Sequence, residues 1–373
     1  MTFIAQVEDL GRLEASGRLR KLSLPSGLDF SSNDYLGFAG QGRLRPAAMA
    51  ALDAGVALGS GGSRLLRGNH LEHEELEAEA AALFGAESAL FFSSGFAANT
   101  ALFGALPQRG DLVLYDALIH ASVHDGLRAG RAIAEAFPHN DVEAAADAIV
   151  RYRAKGGVGR VFLAVESLYS MDGDLAPLAE FKALADAHDG VLIVDEAHAT
   201  GVFGEAGKGL AAGLGGAENV ITLRTLGKAL GCEGALLFLP KAARDFLINR
   251  ARGFIFSTAP SPFSARLALA ALRLNAEADE LRAELQARIA TAREALAKIG
   301  YALSPSQIQP LVLGEEARTM RAAAQLQAEG FDIRGVRPPT VPTGTSRLRL
   351  SLTLNTERAD LDRLFQMLPQ VLA

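Results

Sequence analysis

The stretch Val191-Leu-Ile-Val-Asp195-Glu-Ala-His198-Ala-Thr-Gly201 decides the fold. Four apolar residues end in an acid, followed three positions later by a histidine. A short, unbroken apolar run bounded by polar residues and glycine reads as a strand buried on both faces, the pattern of a parallel sheet covered by helices. Side chains just beyond such strands project into the crevice where open α/β sheets bind ligands. A second run, Val220-Ile-Thr-Leu223, leads into Thr225-Leu-Gly-Lys228-Ala-Leu-Gly231 and brings a lysine to the same edge. An acid and a lysine delivered there suit an aldehyde cofactor. The lysine forms a Schiff base, and the acid keeps a pyridinium nitrogen protonated.

Outward from this pair, Ala89–Phe92, Leu112–Tyr115, Val161–Val165 and Ala235–Leu239 are further short apolar runs, alternating with Ala-rich helical patterns. That alternation predicts an α/β fold with a doubly wound, mostly parallel sheet and helices on both faces. Helices are expected over 1–22, 44–57 and 70–84, with one long helical stretch over 262–299. The runs Pro310-Leu-Val-Leu and Leu348-Arg-Leu-Ser-Leu among helical patterns predict a small α+β C-terminal domain. A chain of 373 residues exceeds a single core. The expected division is an N-terminal helix and arm (1–40), a large cofactor-binding domain (41–270) and a small C-terminal domain (271–373).

With 49% hydrophobic and 21% charged residues the composition is that of a globular chain. A net charge of −6 without a long basic run argues against nucleic acid as the partner. The lone Cys232 allows no intramolecular disulfide and fits a reducing compartment. Met1–Leu10 carries acids where a signal peptide would be basic, and no apolar stretch is long enough to span a bilayer. The expectation is a cytoplasmic protein that does not enter membranes.

Several motifs invite other readings. Asp195-Glu-Ala-His198 matches a helicase acidic box, but no G-x-x-x-x-G-K-[ST] phosphate loop accompanies it. Gly59-Ser-Gly-Gly-Ser-Arg64 precedes the first convincing strand, where a dinucleotide loop would follow one. His70 and His73, near Glu74 and Glu77, read as a solvated helix face, since no further residue completes a metal site. Ser93-Ser-Gly95-Phe96-Ala-Ala-Asn99 sits where a strand turns into a helix. It is either a phosphate site on free N–H groups or an ordinary capped helix start. His120, in Asp116-Ala-Leu-Ile-His120-Ala-Ser122, and the polar run Glu166-Ser-Leu-Tyr-Ser170-Met-Asp-Gly-Asp174 also follow strands.

Asn33-Asp-Tyr-Leu-Gly37, Gly61-Gly-Ser-Arg64, Gly95-Phe96-Ala-Ala-Asn99, His120-Ala-Ser122, Ser170-Met-Asp-Gly-Asp174, Asp195-Glu-Ala-His198 and Thr225-Leu-Gly-Lys228 follow one another along the chain. Together they resemble, over nearly its whole length, the α-oxoamine synthases. These are fold-type I pyridoxal-phosphate enzymes that condense an amino acid with an acyl thioester and release CO2. The run Ile333-Arg-Gly-Val-Arg337-Pro-Pro-Thr340-Val-Pro, with Arg347 and Arg349 beyond it, is similar to members that join L-alanine to a pimeloyl thioester on the way to biotin. Sister members using glycine or serine with other acyl groups are the alternative. A non-catalytic partner subunit is a third reading, opposed by the intact Lys228 and Asp195.

The resemblance implies pyridoxal 5′-phosphate as cofactor, covalently held by Lys228, which also moves the Cα proton. It places Asp195 on the pyridinium nitrogen, His198 and Ser170 on the O3′ side, and His120 stacked on the ring as a catalytic and substrate-contacting residue. Gly95, Phe96 and Thr225 would hold the phosphate, joined by Ser257 and Thr258 from the partner subunit of a homodimer with shared active sites. Arg349 would grip the substrate carboxylate, with Arg20, Asn33 and Thr340 also against substrate. The acyl group would arrive on coenzyme A or an acyl carrier protein. Two departures touch the acyl entrance: a short segment between Arg20 and Phe30, and Cys232-Glu233 where relatives carry small residues.

Overall fold

The structure, a computed structural model, describes residues 2–302 and 304–372. Its central sheet has seven strands: β1 (Ser88–Phe92), β2 (Leu112–Asp116), β3 (Ile133–Phe137), β4 (Val161–Glu166), β5 (Val191–Asp195), β6 (Val220–Thr225) and β7 (Ala235–Leu239). Their order across the sheet is β1-β7-β6-β5-β4-β2-β3. All run parallel except β7, which is antiparallel to both neighbours.

The parity of each strand assigns its side chains to a face. Phe162, Ala164, Ile193, Ile221 and Leu223 pack with Ala98 and Leu102 of the helix Gly95–Ala105. Leu163, Val165, Leu192 and Val194 pack on the other side, with Ile149 of the helix Val142–Ala154 and Phe181 of the helix Leu178–Ala187. Each fully buried aliphatic side chain contributes about 1.5–3 kcal/mol. Glu166, Asp195 and Thr225 share parity with the first set. Their side chains therefore emerge on the face covered by the helix Gly95–Ala105.

A three-stranded antiparallel sheet, β8 (Ile308–Gly314), β9 (Arg334–Val336) and β10 (Ser346–Ser351), has β10 in the middle. The helices Glu316–Ala328 and Arg358–Leu372 contribute Ala322, Leu326, Leu361 and Leu364 to the core that covers it. Residues 28–37 are stitched to this region. Leu28–Asp29 pairs in parallel with Phe331–Asp332, and Ser351 and Leu354 donate their N–H groups to Phe30 and Tyr35. None of the described helices is long and apolar enough to cross a membrane.

Some boundaries differ from the sequence reading. The first helix covers Ile4–Ala15 only, because Gly17 adopts a left-handed φ of 68° and ends it. The stretch 262–299 is two helices, Pro262–Ala276 and Asp279–Lys298, and Arg282 donates across the break to the Asn275 carbonyl at 2.7 Å. The edge strand β3 lacks a continuous apolar run because most of its residues are exposed. His73 is no solvated residue. It is buried, its Nδ1 accepts the His70 N–H, and its Nε2 lies 2.8 Å from the Pro260 carbonyl.

Beside the sheet edge, His139 bridges two acids, with Nδ1 2.9 Å from Asp116 and Nε2 2.7 Å from Asp174. Burial would lower its pKa, but these two carboxylates outweigh it and hold His139 up at about 10. A histidine raised in this way contributes stability in full below its ordinary pKa and loses it as pH rises through about 10. Asp116 is fully buried and keeps N–H donors from Leu118 and Asn140. His139→Ala should therefore lower the unfolding free energy at neutral pH by about 1–3 kcal/mol. Urea titrations of both proteins should show that difference shrinking as pH rises from about 6.5 and levelling off by about 10.

Candidate active site

At the C-terminal ends of β4, β5 and β6 lies a cavity of about 630 Å³. Asp195, His198, Thr225 and Lys228 line it from the strand ends, and Gly95, Phe96, His120 and Asn33 close it from neighbouring segments. Eight of the residues singled out from the sequence thus meet in one place.

Asp195 is buried, and its carboxylate accepts from Asn99 Nδ2 at 3.0 Å and from the Ala197 N–H at 2.9 Å. The same Asn99 amide donates to Ser122 Oγ at 3.0 Å. Ser122 in turn approaches His120 Nδ1 with its hydroxyl at 2.7 Å and its backbone N–H at 3.2 Å. Two donors on Nδ1 place the imidazole proton on Nε2. Burial lowers the His120 pKa against the pull of Asp195, so the ring is a neutral plate over the cavity. Phe96 stands edge-on to it, ring centroids 6.4 Å apart.

Lys228 lies on the connection from β6 to β7. Hydrogen bonds from Leu226 to Gly234, Gly231 to Lys228 and Cys232 to Leu226 fix that connection. Gly231 is left-handed, at φ 62°, and a side chain there would meet the Ala39 nitrogen at 2.6 Å. Burial lowers the Lys228 pKa to about 8, with Asp195 opposing the shift and Arg349 adding to it.

Where β1 turns into the helix Gly95–Ala105, Ser94 caps the helix by accepting the Ala97 N–H. A Cβ added to Gly95 would lie 2.5 Å from Thr225 Cγ2, so only glycine lets the helix start approach Thr225 this closely. The free N–H groups of that helix end and the Thr225 hydroxyl face the cavity that Lys228 enters, a cradle for a phosphate. The sequence left a capped start and a phosphate site both open; the geometry supports both at once.

Behind the cavity, Arg349 of β10 donates to Asn33 Oδ1 at 3.1 Å, Tyr35 Oη at 3.4 Å, the Ser170 carbonyl at 2.6 Å and Ser351 Oγ at 2.7 Å. Tyr35 Oη lies 2.6 Å from His198 Nδ1. Burial, Lys228 and Arg349 hold His198 well below its ordinary pKa, so it is neutral.

Other expected residues stand apart. Ser170 meets the site through its backbone, donating to Glu166 and accepting from Arg349. Arg20 and Thr340 bond to each other at 3.1 Å and are both exposed, outside the cavity wall. Ser257 and Thr258 are exposed and also outside it; Ser257 borders a separate groove beside Arg252. Sequence reasoning missed Asn99, Ser122, Tyr35 and Glu166 as site residues. Glu166 ends its apolar run as Asp195 ends its own, and Asn99 lies one helical turn past Gly95. Both signals were present.

An imine-forming lysine, a buried aspartate, a neutral histidine plate and a phosphate cradle at the edge of such a sheet define a fold-type I pyridoxal-phosphate enzyme. The chain belongs to the aminotransferase class I and II family, whose sequence profile matches residues 25–368, and within it stands with the 8-amino-7-oxononanoate synthases. One such synthase, from Anaeromyxobacter dehalogenans, is 44% identical over 92% of this chain and 86% of its own. Another, from Pelobacter propionicus, is 41% identical over 95% and 94%. Among solved structures, a serine palmitoyltransferase from S. paucimobilis with bound PLP and myriocin superposes with a TM-score of 0.88 at 26% identity, covering 99% and 97% of the two chains. The 8-amino-7-oxononanoate synthase of Francisella tularensis does so at 0.77 and 28%, covering 93% and 97%.

Pyridoxal 5′-phosphate is the cofactor, and the residues present fit it: the cradle at Gly95 takes a phosphate and Asp195 faces the same cavity as Lys228. Because the lysine must be neutral to attack, covalent capture of pyridoxal phosphate by cofactor-free protein should speed up as pH rises through about 8 and level off above. Stopped-flow absorbance measures this; a rate flat across that range would contradict the assignment. Gly95→Ala should weaken cofactor binding at least about tenfold, or ~1.4 kcal/mol, by equilibrium titration.

Proposed function

We propose that this enzyme joins L-alanine to a pimeloyl thioester, giving 8-amino-7-oxononanoate, CO2 and free thiol in biotin biosynthesis. One observation carries the reading: Lys228 and Asp195 share one cavity with Asn33, which holds Arg349 behind it, in a chain 41–44% identical to two synthases of that name.

The reaction needs a carbanion at the alanine Cα, and bound pyridoxal phosphate supplies the electron sink that makes that carbon acidic. Asp195, held by two N–H donors, keeps the ring nitrogen protonated. Lys228, whose pKa burial lowers to about 8 so that a share of it is free amine near neutral pH, takes the Cα proton and returns one after CO2 has left. Arg349 presents a planar fork that matches the substrate carboxylate, and Asn33 and Tyr35 hold that fork in place. His120, protonated on Nε2, covers the cavity and keeps water from the carbanion.

Gly95, Phe96 and Thr225 hold the phosphate in this reading, and Ser170 and His198 flank the ring oxygen. Ser257 and Thr258, exposed on this subunit, complete the phosphate site of a second copy in a homodimer. The helix Ile4–Ala15 supports the dimer: it buries no residue and leaves Ile4, Val7 and Leu10 exposed. Arg20 and Thr340 flank the acyl entrance. The acyl group arrives on coenzyme A or an acyl carrier protein, and a single cysteine, which forms no intramolecular disulfide, supports a cytoplasmic enzyme.

The shape match to a serine palmitoyltransferase favours one second reading, a sister synthase using serine. Purified enzyme with pyridoxal phosphate and pimeloyl-coenzyme A should release thiol with L-alanine and not with glycine or serine, and mass spectrometry should find the decarboxylated amino-ketone. Release with serine instead would move the substrate to the sister class. Arg349→Ala should raise the KM for alanine about tenfold or more while changing that for the thioester far less. Equal effects on both would contradict its role.

A further inference from the structure

The cavity holds a second carboxyl group that the reaction above does not use. Glu166 closes β4 as Asp195 closes β5, and the two are paired in register on adjacent parallel strands. Their parity aims both side chains at the same face, across a strand spacing of about 4.8 Å. Glu166 is 3% exposed and lines the cavity with Lys228 and Asp195.

The hydrogen bonds of the two acids differ. Asp195 has its two N–H donors on separate oxygens, as an anion requires. Glu166 has one, a 3.3 Å bond from the Ser170 N–H to Oε2, while Oε1 is shut off from water and has no partner. An anionic oxygen left bare in a dry site costs far more than a neutral one. Neighbouring carboxyls with unequal support split one charge between them, and the better supported group takes it.

We propose that Glu166 is a neutral carboxylic acid with its proton on Oε1, so that of the two strand-end acids only Asp195 carries a charge. The groups whose charge acts on Glu166 are Asp195 on β5, Lys228 across the cavity and, from the opposite face of the sheet, Asp116 on β2; the Ser170 N–H donates to it, and Tyr169 lies nearby. Burial pushes the Glu166 pKa well above the ordinary carboxyl range, with Asp195 and Asp116 adding and Lys228 opposing. As an acid, Glu166 still accepts the Ser170 N–H on Oε2, and so positions the loop whose Ser170 carbonyl holds Arg349. Its missing charge matters to the lysine as well. An ionised Glu166 beside Asp195 would raise the Lys228 pKa and reduce the free amine at neutral pH.

The inference rests on the cofactor reading only for its consequence at Lys228, so the first test uses cofactor-free protein. Infrared spectra at neutral pH should contain a protonated-acid carbonyl band that shifts when glutamate carries carbon-13 in its side-chain carboxyl, and does not shift with labelled aspartate. Glu166→Gln should abolish that band. Absence of a glutamic acid band in the wild-type protein, or its survival in the variant, overturns the proposal. The second test is the pH midpoint of covalent pyridoxal phosphate capture, which Glu166→Gln should leave in place because one neutral group replaces another. A drop of about one pH unit, tenfold in the lysine ionisation constant, would mean that the wild-type Glu166 is charged. If the band is present but no covalent capture occurs, the proposal for Glu166 stands and the cofactor reading fails.

Discussion

The carboxylate of Asp195, pinned by the Asn99 amide and the Ala197 N–H at the end of β5, is the fixed point of this molecule. Asn99 spends its second amide hydrogen on Ser122, which sets the tautomer of His120. One side chain therefore orients the anion beneath the cavity and the imidazole above it. Asn99 sits four residues after Gly95 on the same helix, a rise of about 6 Å. The helix presents its N-terminus to the proposed phosphate cradle and its first full turn to the aspartate, so the distance between these two groups is built into its pitch.

A second constraint lies just below. Glu196 and Arg224, each next in sequence to a site residue, form a buried ion pair at 2.9 Å. The Arg224 guanidinium also lies over the Phe84 ring, 4.3 Å from its centre. A buried pair of this kind adds little net stability, but breaking it strands a charge. Its effect is to lock β5 against β6 and with them Asp195 against Thr225. Across the cavity, Arg349 draws on Asn33 and Tyr35 from the N-terminal segment and Ser170 from the loop after β4. The Arg349 cluster is thus assembled from three distant parts of the chain, whereas Gly95, His120, Asp195 and Thr225 all come from strand ends of one sheet.

That contrast explains what could be read from the amino-acid string. Every buried strand of the main sheet carried a continuous apolar run, and the residues at those run ends, Asp195, Thr225 and Lys228, were legible as chemistry. β3 was not, because an edge strand with solvent on its side chains has no such run. The antiparallel sense of β7 was equally hidden, since a buried strand reads alike in either direction. Asn99, Tyr35 and Glu166 escaped as site residues because their roles depend on partners 96, 163 and 29 residues away or on register across strands. The break at Glu277 and Ala278 left no proline or glycine to mark it.

The position of β7 bears on the order in which the molecule is made. It is the last strand of the large sheet in sequence, yet it is inserted between the first, β1, and β6. Until residue 239 is available, β1 has no hydrogen-bonding neighbour in that sheet. Gly95 hangs from the end of β1 and Thr225 from the end of β6, so the two halves of the phosphate cradle are separate before that moment. A nascent chain could complete β2 through β6 during synthesis and still lack the proposed phosphate cradle. Such late, long-range pairing slows folding and leaves strand edges open meanwhile.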